Sequence, residues 1–474
     1  MQTIIDKPTR VEHDFLGDLE IPSKAYYGIQ TYRAFKNFNI TGIKIKSEPF
    51  FVQALAFVKK AAAMANRDSG VLDPYIAEYI IKAADRLIAG EFHDQFISDF
   101  IQGGAGTSCN MNANEVIANV ALEMMGYEKG DYQYCHPNNH VNCSQSTNDA
   151  YPTAIKIAVY KKLEEYTRSL IDLRDSFDMK SKQFNHVLKM GRTQLQDAVP
   201  MSLGSEFHAF SSNIDDEIKL LTSSKRLLTE INMGATAIGT GVNAPEGYAD
   251  LVTQHLCAIT GIELEKAKDL IKATSDTGDY VQLSASLKRT AIKISKICND
   301  LRLLSSGPRA GFNEINLPQM QPGSSIMPGK INPVIPEVVN QTAYYVMGAD
   351  LTISMAAEAG QLQLNVMEPV ISYSLFTSIS FMTRAVQTLK RECIDGITAN
   401  EDHCRQMVMN SVAIVTLISP IIGYEKSSAV SKEALKTGKT VYQIVVKEEK
   451  YLTEEKWNEI YSFENLINPK FINS

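Results

Sequence analysis

The chain is poor in the features that staple or clamp small proteins. Its seven cysteines (Cys109, Cys135, Cys143, Cys257, Cys298, Cys393 and Cys404) are odd in number and scattered, and none forms a C-x-x-C pair. That argues against a disulfide framework or a cysteine zinc site and fits a reducing cytoplasm. A basic excess is also missing. Against 54 Asp and Glu stand 47 Lys and Arg, a net charge of −7, so no nucleic-acid partner is expected. The longest apolar run, residues 412–422, is too short to span a bilayer and contains Pro420. Residues 1–15 carry mixed charge without an apolar core, so no secretory leader is expected. There is no low-complexity tract and no internal repeat.

Period-two alternation is scarce, which leaves little for half-buried strands. Helical spacing is abundant. Ile155, Val159, Leu163, Tyr166, Leu170, Leu173 and Phe177 follow at intervals of three or four, one stripe over about six turns. Leu203, Phe207, Phe210, Ile214, Ile218 and Leu221 form a second stripe, and Leu283, Leu287, Ile294, Ile297, Leu301 and Leu304 a third. A fourth helix is expected after Pro336, running towards Met355. With 474 residues, 44% hydrophobic and 21% charged, the chain can bury a large core. The pattern predicts an all-α fold with long bundled helices. Helices this long need partners, so a homo-oligomer is expected. Breaks in the pattern suggest a mixed helical domain over 1–145, a long-helix bundle over 146–398 and a small helical domain over 399–474. In the last, Gly438 reads as a helix C-cap, and Thr453 before Glu454 and Glu455 reads as a helix start.

The chemistry is concentrated in loops. Gly323-Ser324-Ser325-Ile326-Met327-Pro328-Gly329-Lys330-Ile331-Asn332-Pro333 carries two hydroxyls, a lysine and a carboxamide on a segment whose glycines and prolines forbid a regular helix. Such a loop suits carboxylate binding and can host a nucleophile or base. It is not a phosphate loop, because five residues separate Gly323 from Gly329 where roughly four are needed, and Ile331 replaces the Ser or Thr. Gly239-Thr240-Gly241 lacks the strand and third glycine of a dinucleotide site. His136 and His140 have a helical metal spacing, but Pro137 argues against a helix there, so no metal site is assigned. Four further segments are equally small and polar: residues 103–108 (GGAGTS), 144–149 (SQSTND), 191–197 (GRTQLQD) and 234–241 (GATAIGTG). Each alone reads as a cap or turn; together with the first loop they point to one site.

These segments resemble those of the fumarase/aspartase superfamily, whose members cleave C–N or C–O bonds and release fumarate. The resemblance runs from about Arg10 to Pro469. Residues 332–341 and 356–369 are similar to its ammonia-lyase branch, where class II fumarases differ. The resemblance implies a three-domain helical fold and a homotetramer whose active sites are each shared by three subunits. It also implies reversible release of ammonia from L-aspartate to give fumarate, with no nucleic acid, membrane or cofactor involved. Activation by a divalent cation, found in some relatives, leaves no ligand cluster to read here.

Matched residue by residue, the resemblance gives Thr107, Ser146, Thr147 and Ser325 to the β-carboxylate. Thr193, Lys330 and Asn332 go to the α-carboxylate, Asn148 to the amino group, and Ser324 becomes the general base on a loop that closes over substrate. Gln194 stands where fumarases and some aspartases carry histidine. An ammonium leaves already protonated and needs no acid, and the Gln194 carbonyl oxygen can accept its hydrogen bond. The competing readings are a class II fumarase acting on malate and a catalytically silent scaffold that keeps the fold.

Overall fold

Apolar spacing of three and four becomes helix along the chain in the computed structural model, which describes residues 8–467. A ribbon of β1 (Thr9–Asp14) and β2 (Gly17–Pro22) comes first. Four helices follow: α1 (Ile29–Asn37), α2 (Pro49–Asp68), α3 (Pro74–Ile88) and α4 (Thr107–Met125). The longest, α5 (Thr147–Gln183), leads into a second ribbon, β3 (Leu188–Thr193) and β4 (Gln196–Ser202). Then come α6 (Leu203–Lys225), α7 (Tyr248–Thr260), α8 (Leu270–Ser275), α9 (Gly278–Leu304), α10 (Val334–Glu358) and α11 (Glu368–Glu392), before shorter C-terminal helices. The fold is all-α. Its few strands form two-stranded ribbons, as the scarcity of alternating sequence implies. Among the described residues no helix is long and apolar enough to cross a membrane.

The predicted stripes hold. All seven stripe residues of α5 are fully buried, and the whole α9 stripe from Leu283 to Leu304 is buried. On α6 only Ile218 is half-exposed. Helix α10 starts at Val334, two residues ahead of the expected limit, and tolerates Pro336 because N–H groups in a first turn have no helical acceptor.

The chain forms two compact units, each built from separated stretches. Unit one comprises Met1–Thr167, Lys219–Ala291 and Tyr344–Thr383; unit two comprises Arg168–Ile218, Ile292–Ala343 and Arg384–Ser474. Unit one is organised around α4, whose side chains are buried on every face from Cys109 to Leu122. Its Glu115 reaches the head of α1 and accepts the N–H groups of Gly28 (2.8 Å), Gln30 (2.9 Å) and Thr31 (3.1 Å) and the Thr31 hydroxyl (2.6 Å). Glu12 accepts the N–H of Ile29 at 2.8 Å. Two carboxyl groups thus serve the otherwise unpaired donors of a helix N-terminus. There is no room for a side chain at Gly28, where a Cβ would lie 2.7 Å from both carboxyl groups.

In unit two the C-terminal helices pack on Leu188 and Met190 of β3. The lone Trp457 stacks on Tyr461 with ring centres 3.8 Å apart. Gly438 closes the helix Tyr424–Thr437 at φ 73°, and the Thr453 side chain caps Glu454–Ile460 through the N–H of Lys456, both as expected.

Glu115→Ala should leave the N–H groups of Gly28, Gln30 and Thr31 without this acceptor and lower stability by about 3 kcal/mol, several degrees in apparent Tm. Scanning calorimetry at a fixed rate checks this; an unchanged Tm would contradict the capping role.

Candidate active site

The head of α5 gathers one group of expected residues in unit one. Ser146 caps the helix: its Oγ accepts the N–H of Asn148 (3.2 Å), and Asp149 reaches back to the N–H of Ser146 (3.0 Å), a reciprocal capping box. The other Asp149 oxygen accepts the N–H groups of Gly234 (3.1 Å) and Thr236 (2.9 Å), which pins the 234–241 loop to the helix head. Burial pushes Asp149 up to about 6, opposed by these N–H groups and by Lys59.

The hydrogen bonds set the polarity of each side chain. Ser146 Oγ accepts from backbone and Thr147 Oγ1 accepts from Asn110 Nδ2 (3.2 Å), so both hydroxyl hydrogens are left to donate to an anion. The helix N-terminus adds a positive field. Asn148 Nδ2 donates to the carbonyl of Ala237 (2.7 Å). Its open end is therefore an acceptor, suited to an ammonium.

The head of α4 meets α5 through Gly106, at φ 92°, where a Cβ would fall 2.6 Å from the ring of Tyr151. This places Thr107 on the same side of the unit. Its hydroxyl donates to the carbonyl of Gly104 at 2.7 Å, so it must turn before it can serve a carboxylate.

Residues 136–141 differ from expectation, since Pro137–Val141 forms a π-helical turn. Pro137 is tolerated because it opens the turn. His136 Nδ1 accepts from Asn138 and Asn139, and His140 Nδ1 accepts the N–H of His136. Burial lowers both histidine pKa values. The two rings cap their own turn. Among the described residues no group of three or more His, Cys, Asp or Glu is placed to hold a metal ion.

Unit two presents the other residues on two elements. Thr193 pairs with Gln196 across a two-residue turn, Gln194-Leu195. Both turn residues have left-handed backbones, φ 55° and 63°. This turn class favours Asn-Gly, and Gln and Leu are strained there by roughly 1 kcal/mol or more each. Below the turn, Arg192 pairs with Glu314 (2.5 Å) and covers the ring of Phe312, while Lys189 lies between Glu206 (2.5 Å) and Glu314 (2.8 Å).

The 323–333 loop is irregular, as its sequence requires. Gly323 N–H donates to the carbonyl of Lys330 (2.7 Å), and Asn332 Nδ2 donates to the carbonyl of Gly323 (2.8 Å). A Cβ at Gly323 would lie 2.8 Å from both Asn332 N and the Lys330 carbonyl oxygen. Ser324 Oγ accepts the N–H groups of Ile326 (3.2 Å) and Met327 (3.0 Å). Ser325 and Lys330 are exposed. Among the described residues no hydrogen bond joins this loop to the hairpin tip. The expected site residues are carried by three elements, the head of α5 with Thr107 in unit one and the hairpin tip and the 323–333 loop in unit two.

Sequence reasoning gave no role to Lys59, Asn110, Asn142 and Gln145, which form a hydrogen-bonded network behind Thr147 with Lys59 and Asn110 buried and the other two half-buried. A signal was present: Asn110, Asn112 and Asn114 recur along α4, and carboxamides on a helix buried all round require partners. Glu314 left none, being 122 residues from Arg192. Glu368, buried at the head of α11, was also missed; burial pushes it up to about 8, opposed by Lys156.

A family model described as lyase matches residues 17–348, and one described as fumarase C C-terminus matches residues 414–468. The aspartate ammonia-lyase of Helicobacter pylori (strain J99) is 56% identical over 460 residues, 97% of this chain and 98% of that protein. Among solved structures, the fumarate lyase:delta crystallin of Brucella melitensis bound to cobalt matches with a TM-score of 0.94 at 47% identity, covering 97% of this chain and 99% of that one. A class II fumarase from Schistosoma mansoni matches with a TM-score of 0.92 at 32% identity, covering 98% and 100%.

Two outcomes test the local physics. Leu195→Gly should raise stability by about 1 kcal/mol by relieving the left-handed turn residue; a lower Tm would mean that the turn is unstrained. Glu368 is pushed above the ordinary glutamate value of 4.5, so it favours the folded state when neutral. That stability is complete below the unfolded pKa and is lost as pH rises through about 8. Glu368→Gln should therefore match the parent in Tm at low pH and exceed it increasingly towards pH 8; a gain independent of pH would contradict the assignment.

Proposed function

The chain belongs to the fumarase/aspartase lyase family, and on that premise we propose that it is an aspartate ammonia-lyase, a carbon–nitrogen lyase converting L-aspartate reversibly to fumarate and ammonia. The observation that carries this reading is the 56% identity, over nearly the full length of both chains, to an aspartate ammonia-lyase, against 32% to a class II fumarase. Gln194 points the same way. A hydroxide leaving group needs a proton donor, whereas an ammonium needs an acceptor.

The proton removed sits on the carbon beside the β-carboxylate and is very weakly acidic. Its loss gives an aci-carboxylate with nearly two negative charges, so preorganised donors there lower the barrier most. Ser146 and Thr147, with free hydroxyl hydrogens at a helix N-terminus, suit that task; Ser325 and a rotated Thr107 complete the set. Thr193, Lys330 and the second N–H of Asn332 hold the α-carboxylate, Lys330 supplying fixed charge. The oxygens of Asn148 and Gln194 accept from the ammonium. Ser324 is the base. Two N–H groups on its Oγ, with Lys330 on the same loop, stabilise the alkoxide that an isolated serine cannot sustain near neutral pH.

Each complete site takes its three patches from three copies in a homotetramer. What supports this is that hairpin tip and loop are exposed in the single chain, and that α10 leaves Tyr344 (56% exposed), Leu351 (63%) and Met355 (65%) uncovered at helical spacing. The enzyme acts in the cytoplasm. The scheme assigns no step to a cofactor.

Purified protein should release fumarate, followed by its ultraviolet absorbance, from L-aspartate and not from L-malate; the reverse preference would make it a fumarase. Ser324→Ala should lower kcat by roughly a thousandfold or more while substrate still binds. Lys330→Ala should chiefly raise KM, by roughly tenfold or more. Turnover should persist in excess chelator; loss restored by magnesium would bring a divalent cation into the scheme.

A further inference from the structure

Lys59 has no place in the roles above, and its surroundings call for one. The side chain is 0% exposed. Its ammonium donates to three carboxamide oxygens: Asn110 Oδ1 at 2.6 Å, Gln145 Oε1 at 2.9 Å and Asn142 Oδ1 at 3.0 Å. All three of its N–H bonds are therefore used, and none goes to a carboxylate. Burying an ammonium against neutral oxygens is expensive, and an apolar side chain of similar volume generally serves packing better. Burial pushes Lys59 down to about 7, with Asp149 opposing.

The network has a direction. Because Asn110 turns its oxygen towards Lys59, its Nδ2 faces the other way and donates to Thr147 Oγ1 (3.2 Å) and Asn142 Oδ1 (3.1 Å). Thr147 Oγ1 accepts, so its own hydrogen is left for substrate. Without the ammonium, only the bond to Asn142 Oδ1 opposes a half-turn of that carboxamide, and the turned form would offer Thr147 an oxygen and capture its hydrogen.

We propose that Lys59 is a positioning residue for the elimination: it orients the Asn110 carboxamide so that Thr147 donates its hydroxyl hydrogen to the β-carboxylate as the aci-dianion develops. The proposal rests on the reading of Thr147 as a β-carboxylate donor. The charge of Lys59 stands behind this donor, two hydrogen bonds and one carboxamide away. It favours a dianion over a monoanion, and therefore the intermediate over the substrate.

Asn110→Asp separates positioning from folding. It keeps an oxygen on Lys59 and turns a neutral contact into an ion pair, while replacing the N–H that faces Thr147 by a second acceptor. The expected result is a kcat on L-aspartate lower by roughly a hundredfold, KM changed by less than about threefold, and Tm at or above that of the parent. Lys59→Met should give a comparable fall in kcat. In both variants affinity for the nitronate of 3-nitropropionate, a mimic of the aci-dianion, should fall in step with kcat, while affinity for succinate is retained. Parental kcat and nitronate affinity in Asn110→Asp overturn the proposal. A parent that releases no fumarate from L-aspartate overturns both this inference and the reading of the site; an active parent with an equally active Asn110→Asp overturns this inference alone.

Discussion

A buried carboxylate at the head of the longest helix organises the proposed site. Asp149 accepts the N–H of Ser146 with one oxygen and those of Gly234 and Thr236 with the other. It thereby starts α5, fixes Ser146 and Thr147 at the positive end of the helix, and holds the loop whose Ala237 carbonyl orients Asn148. Burial alone would neutralise such a group, and the three N–H donors keep the ionised form accessible. Lys59 reaches Thr147 through Asn110. In the proposed site, unit one thus presents Ser146 and Thr147 hydroxyls that already accept hydrogen bonds and keep their own hydrogens to donate, the preorganisation that stabilising a developing charge requires.

The backbone is strained where the motifs lie. Ala105, Ser144, Gln194 and Thr236 all have positive φ without being glycine, and each belongs to one of the four polar segments that accompany the 323–333 loop. Each left-handed residue costs roughly 1 kcal/mol or more. The surrounding packing of buried stripes on α5 and α9 offsets that cost, so long helices and strained loops are two parts of one design. The helices provide a rigid frame, and the loops are held in shapes that the chain would not otherwise adopt.

The helical frame was legible in the sequence because its signal is local and repeated: the stripe from Ile155 to Phe177 needs only intervals of three and four to be seen. The Gly438 and Thr453 caps were legible for the same reason. The loops were recognisable by their composition, and the resemblance supplied roles, but side-chain polarity was not accessible. That Thr107 donates to Gly104 while Thr147 accepts from Asn110 depends on partners that composition does not name. The π-helical turn after His136 was misread because proline was weighed as a helix breaker rather than as a first residue. The ion pairs of Lys189 and Arg192 with Glu314 join residues too distant in sequence for any local pattern to reveal.

The central claim is that one chain carries patches rather than a site, and that copies complete one another. Its most direct test mixes two inactive variants, Thr147→Val and Ser324→Ala, by coexpression and purification of the mixed assembly. If the hydroxyl donor and the base of each site come from different copies, random assembly restores about a quarter of parental activity. If both belong to one chain, the mixture stays as inactive as its parts, and the account fails.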